Sequence, residues 1–132
     1  MITAYLLGMP SYYEGEDIEI RFCVFKEGAL LFKEASFKEY KKPVIVEHMA
    51  LLALLKRLEE FKEKEITIII NNASVYEQIR GTSTLKNKDA MRMINKVKGK
   101  LDEFGNHLII EDVSNDKIGL KNWKETLEET FI

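Results

Sequence analysis

The chain carries a single cysteine, Cys23, among 132 residues, which excludes a disulfide framework and a cysteine-rich zinc site. Cys23 lies in the alternating run Ile18-Glu19-Ile20-Arg21-Phe22-Cys23-Val24-Phe25, the setting of a buried bystander rather than of a nucleophile. Long apolar runs are also missing, and nothing approaches the roughly 20 residues of a membrane span. The N-terminal Met1-Ile2-Thr3-Ala4-Tyr5-Leu6-Leu7-Gly8 has no basic leader, and its apolar stretch is too short for a signal peptide. No membrane partner is therefore expected, and a reducing cytoplasm is the expected setting. Charge of either sign is nearly balanced, at a formal net −2. No whole-protein field draws the chain toward nucleic acid or acidic membranes, so such a partner must be met by a local patch. Repeats, low-complexity stretches and linkers are absent too.

What is present suits one globular domain over residues 1–132. The chain is 45% hydrophobic and 32% charged, ordinary values for a folded protein of this size. Residues 2–7 read as a short apolar strand closed by Gly8 and Pro10. Residues 17–25 alternate apolar and polar, and Lys26-Glu27-Gly28 turns the chain into a third strand over 29–37, so strands two and three form a hairpin. Pro43 suits the first turn of a helix running from Val44 to about Lys62. Leu51, Leu54, Leu55, Leu58 and Phe61 supply its apolar stripe. The β-branched run over 65–71 marks a strand buried on both faces.

Ser74 and Glu77 are spaced as a capping box for a short helix that ends near Gly81. A helix over about 88–104 carries Ala90, Ile94, Val97, Leu101 and Phe104 on one stripe and closes at Gly105. A fifth strand over 107–113 and a final helix over 120–131, with Trp123, Leu127 and Phe131 inward, complete the order β-β-β-α-β-α-α-β-α. This is an α/β class chain with a five-stranded mixed sheet and helices on both faces.

Three local motifs fit that order. They are Val46-Glu47-His48-Met49-Ala50 opening a leucine-rich helix, Ile70-Asn71-Asn72-Ala73-Ser74 leading to Gln78-Ile79-Arg80-Gly81, and Leu6-Leu7-Gly8 in the first strand. Together with the element order they make the chain resemble the ribonuclease H-like superfamily over nearly its whole length. The resemblance implies that family's phosphodiester hydrolysis by two magnesium ions on four carboxylates, because hard cations need several anionic oxygens. Carried over position by position, the set is degenerate. Leu7 stands at the first-strand Asp, Asn71 at the fourth-strand Asp, and Leu120, within one residue, at the final Asp. Glu47 alone keeps its carboxylate.

Other features compete with that pattern. Asp112 and Asp116 fall where they could approach Glu47 as substitute metal ligands, and Glu14, Glu16 and Asp17 follow the first strand. Asn71 and Asn72 have a plain role as helix caps. His48 and His107 form no ligand set, and Tyr12 and Tyr13 belong to no recognisable motif. Segment 80–100 holds seven basic residues against one acid, Asp89, a local +6 in a chain of −2. Lys88, Arg92, Lys96 and Lys100 recur every four residues along one side of the helix. In the resembled family a basic helix here grips the RNA–DNA hybrid.

The expected function is a catalytically degenerate domain that binds nucleic acid or serves a structural role, with no cofactor. One alternative is an active metal-dependent ribonuclease H that hydrolyses RNA–DNA hybrids with magnesium or manganese on acids relocated around Glu47. Another is a protein-interaction module or homodimer formed through a sheet edge.

Overall fold

A computed structural model describes residues 1–11, 13–39, 41–83 and 86–132. Tyr12 lies outside them. The elements are β1 (Ile2–Met9), β2 (Ile18–Lys26), β3 (Ala29–Lys38), α1 (Pro43–Arg57), β4 (Ile66–Ile70), α2 (Ala73–Arg80), α3 (Lys88–Phe104), β5 (Leu108–Asp112) and α4 (Lys117–Thr130). Their order is the expected one. The sheet runs β3-β2-β1-β4-β5, with β1–β2 and β2–β3 antiparallel and β1–β4 and β4–β5 parallel. Helical crossovers are required wherever the strands are parallel.

Alternation within the strands divides the interior in two. Ile2, Ala4 and Leu6 of β1 join Ile20, Phe22 and Val24 of β2 and Ile66, Ile68 and Ile70 of β4 beneath α1, α2 and α3. The opposite faces of β1 and β2 turn Tyr5, Leu7, Cys23 and Phe25 toward Trp123 and Leu127 of α4. Helices therefore cover both faces. α1 contributes Ala50, Leu51, Leu54 and Leu55, all fully buried, and each such leucine contributes about 1.5–3 kcal/mol relative to an exposed one. Cys23 is buried, and burial pushes its thiol up to about 11, so it is an inert packing residue.

Several boundaries differ from those read in the sequence. α1 stops at Arg57 and continues as a single 3₁₀ turn over Glu59–Phe61. The capping box does not form: Ser74 lies inside α2, and Asn72 caps it, its Oδ1 accepting from Val75 N–H at 3.0 Å. Gly81, at φ 79°, closes α2 as expected. α4 begins three residues early because Asp116 caps it, accepting from Gly119 N–H at 3.1 Å. A Cβ at Gly119 would lie 2.5 Å from Asp116 Oδ2 and 2.9 Å from Val113 Cγ1, so only glycine permits this cap. Among the described residues no helix is long and apolar enough to cross a membrane.

Leu54→Ala is expected to cost about 2–5 kcal/mol, because a fully buried side chain leaves a cavity. Asn72→Ala should cost about 1 kcal/mol through the lost cap. Urea unfolding of the two variants checks both values, and a larger loss for Asn72→Ala than for Leu54→Ala would contradict this account of the core.

Candidate functional site

The carboxyl ends of the parallel strands meet the start of α1 at Gly8. There Gly8 N–H donates to Glu47 Oε2 at 3.0 Å. A Cβ at Gly8 would lie 2.8 Å from that oxygen and 3.3 Å from both Glu47 Cα and Val46 Cγ1, so strand and helix approach this closely only because residue 8 is glycine. Burial raises the Glu47 pKa to about 7, against the opposing pull of the Gly8 amide. This contact turns Glu47 toward the end of β1.

Around this carboxyl Leu7, Asn71 and Leu120, the other positions that the sequence resemblance singled out, carry no charge. β1 and β4 are paired with Tyr5 opposite Ile69, and continuing that register by two residues sets Leu7 level with Asn71. Leu7 and Leu120 both pack against the cluster of Cys23, Val113, Trp123 and Leu127. Leu120 sits inside α4 rather than before it. Trp123 closes the seam, its indole N–H donating to the Leu6 carbonyl at 3.1 Å. Asn71 is exposed, and the capping role belongs to Asn72 alone.

Neither substitute acid joins Glu47. Asp112 Oδ1 accepts from Asn72 N–H at 3.0 Å and Ser114 N–H at 3.2 Å, and Oδ2 accepts from Ser114 Oγ at 2.6 Å. It thus ties the end of β5 to the cap of α2. Asp116 is occupied at the start of α4. Glu14, Glu16 and Asp17 are exposed, and Glu16 accepts from Ser11 Oγ at 3.0 Å. Among the described residues no group of three or more His, Cys, Asp or Glu side chains could hold a metal ion. The donor set does not fit two magnesium ions: Glu47 stands alone, Asn71 offers a neutral oxygen, and Leu7 and Leu120 offer none.

His48, which the sequence left as incidental, is fully buried. Its Nε2 lies 2.7 Å from Gln78 Oε1, and because that oxygen only accepts, the neutral ring donates. Burial holds the imidazole pKa below its usual value. The pair joins α1 to α2 one residue from Glu47. Its only signal in the sequence was that His48 and Glu47 interrupt an otherwise apolar stretch of helix.

The basic row divides. Lys88, Arg92 and Lys96 are exposed on α3, and Arg92 makes only an exposed pair with Asp89 at 3.6 Å. Lys100 is instead held by Glu59 and by Glu103 at 3.3 Å, and these acids raise its pKa, Glu59 most strongly. The cause is helical drift: a four-residue step overshoots one turn by about 40°, so three steps carry Lys100 about 120° around from Lys88. The fold also places Lys41 and Lys42, ahead of α1, on one cavity with Asn87 and Asp89 at the start of α3. Sequence distance concealed that neighbourhood.

The sheet order, the crossover helices and the α1–β1 junction define a ribonuclease H-like fold. The chain superposes on ribonuclease H1 of the halophilic archaeon Halobacterium salinarum with a TM-score of 0.77 at 17% identity, covering 96% of this chain and 92% of that one. It superposes on the N-terminal ribonuclease H domain of a Mycobacterium tuberculosis protein with a TM-score of 0.75 at 14% identity, covering 96% and 94%. With LC11-RNase H1, isolated from compost and solved in complex with an RNA/DNA hybrid, the TM-score is 0.74 at 16% identity over the full length of both chains. No family model and no curated protein matches the sequence.

The partly buried carboxyl has a measurable consequence. Between pH 4.5 and about 7, folded Glu47 holds a proton that the unfolded chain releases. Stability from this group therefore falls as pH rises through that window and is level above it, by at most about 3 kcal/mol. Glu47→Gln keeps an oxygen for the Gly8 amide but does not titrate. From about pH 5 to about pH 8 the variant should gain stability relative to wild type, as read by urea unfolding. Contributions from His48 cancel in the difference, and a constant difference would contradict the burial of Glu47.

Proposed function

We propose that this domain is a catalytically degenerate ribonuclease H-like module that binds nucleic acid through the N-terminal two-thirds of α3. The observation that carries the reading is the exposed row Lys88, Arg92 and Lys96, with Lys41 and Lys42 near the start of the same helix on the cavity that they share with Asn87 and Asp89. A solvent-facing cationic row contacts phosphates without reading bases, so affinity is electrostatic and falls steeply with salt. No aromatic side chain lies in the row, and single-strand stacking gains no support. The solved complex of LC11-RNase H1 with an RNA/DNA hybrid makes a hybrid duplex the first ligand to try. The degenerate half of the reading rests on the donor set, in which two carboxylate positions have become leucines within an apolar seam.

The expected result is salt-dependent binding of hybrid duplex in a filter assay. Each of Lys88→Ala and Lys96→Ala should reduce the slope of log affinity against log salt by about 1. Lys100→Ala should leave that slope unchanged, because its ammonium is already paired. Absence of binding at low salt sinks the nucleic-acid half. Hydrolysis of the hybrid with magnesium or manganese by wild type, abolished in Glu47→Gln, sinks the degenerate half and favours an active enzyme.

A further inference from the structure

Both edges of the sheet open on an apolar run and then carry charges, but only the β5 edge adjoins a cavity lined by three of its consecutive residues among the described residues. β3 runs for ten residues, opens on Ala29-Leu30-Leu31-Phe32 and then carries Lys33, Glu34 and Lys38. Lys33 Nζ donates to the Thr130 carbonyl at 2.8 Å, and Glu34 pairs with Arg57 at 2.6 Å. Charges of this kind guard an edge against strand addition. β5 pairs only with β4 and opens Leu108-Ile109-Ile110, uncharged until Glu111. Its outer rim presents backbone N–H and C=O groups that no described strand pairs.

A cavity of about 440 Å³ adjoins that rim. It is lined by Leu108, Ile109 and Ile110 of β5 and by Tyr76, Ile79 and Leu101 of α2 and α3. Side chains of successive strand residues point to opposite faces of a sheet, so a cavity touching three consecutive residues abuts the strand's backbone edge rather than one face. The apolar walls and the backbone row are thus within reach of one occupant. Ile109 is 53% exposed beside them. The two charges at the mouth, Arg80 and Asp102, are of opposite sign, and the Arg80 guanidinium rests over the Tyr76 ring at 5.2 Å. With no net charge at the mouth, neither a phosphate backbone nor a strongly charged peptide is favoured.

We propose that the outer edge of β5 is a docking site for an extended protein segment with apolar residues at every second position. The segment adds a sixth strand through main-chain hydrogen bonds and seats one apolar side chain among Tyr76, Ile79 and Leu101, the strand-addition mode of peptide recognition. This site lies on the side of the sheet order away from β3 and involves none of Lys88, Arg92 or Lys96, so it stands independently of the nucleic-acid reading.

The test uses the whole chain and a panel of short soluble peptides alternating threonine with valine, leucine, isoleucine or phenylalanine. Each is compared with the same peptide carrying proline at its two adjacent central residues, which removes a main-chain donor facing β5 in either register. Amide exchange by NMR is the readout. At ten times its dissociation constant, a bound peptide should slow exchange of the outward β5 amides about tenfold and shift the Ile79 and Leu101 methyl resonances, and the proline versions should do neither. Leu101→Glu, checked for folding by circular dichroism, should abolish the effect. No protection across the panel overturns the proposal, as does equal binding of the proline versions. Protection of β5 by self-association in the absence of peptide, detected by sedimentation, also overturns it in favour of a second copy.

Discussion

β1 occupies the centre of the sheet and is bonded on both sides, antiparallel to β2 and parallel to β4. Nearly every other relation in the molecule is set by that position. One face of the strand gives Ile2, Ala4 and Leu6 to the interior beneath α1. The other gives Tyr5 and Leu7 to the seam beneath α4. The strand's end supplies the Gly8 amide to Glu47, and the Leu6 carbonyl accepts the indole of Trp123. Because side chains alternate strictly along a strand, a slip of one residue would exchange the two faces and undo both halves of the core together.

The leucines at positions 7 and 120 fill the seam with apolar surface. A carboxylate at either place would need partners or a cation, since an unpaired buried charge costs several kcal/mol. A leucine needs only apolar neighbours, and Cys23, Val113, Trp123 and Leu127 provide them. The Glu47 carboxyl thus lies beside a seam that holds no carboxylate. The proposed loss of metal chemistry and the firm attachment of α4 are two effects of the same residues.

Much of this was legible in the sequence, and the parts that were not share a cause. Alternation over 17–25 and the β-branched run over 65–71 gave strands because burial on one or two faces dictates those patterns. Gly81 and Gly105 marked helix ends because a positive φ favours glycine. For α2 the sequence offered both the Ser74–Glu77 box and an asparagine cap, because both residue types suit an N-terminus, and the structure takes Asn72, whose amide is fixed by Asp112. Lys100 looked like a fourth member of the basic row until the drift of the helix brought it against Glu59. The neighbourhood of Lys41 and Lys42 with α3, and the junction of His48 with Gln78, depend on contacts between elements far apart in the chain. No local pattern encodes those contacts.

Trp123 is the only tryptophan in the chain, and its ring is held in the seam by an indole N–H bond to the central strand. The protein therefore contains an intrinsic fluorophore in the seam between α4 and the central strand. Its emission distinguishes loosening of that helix from collapse of the larger core beneath α1, where no indole lies. Partial opening of one layer and cooperative loss of both become separable optical events without any added label.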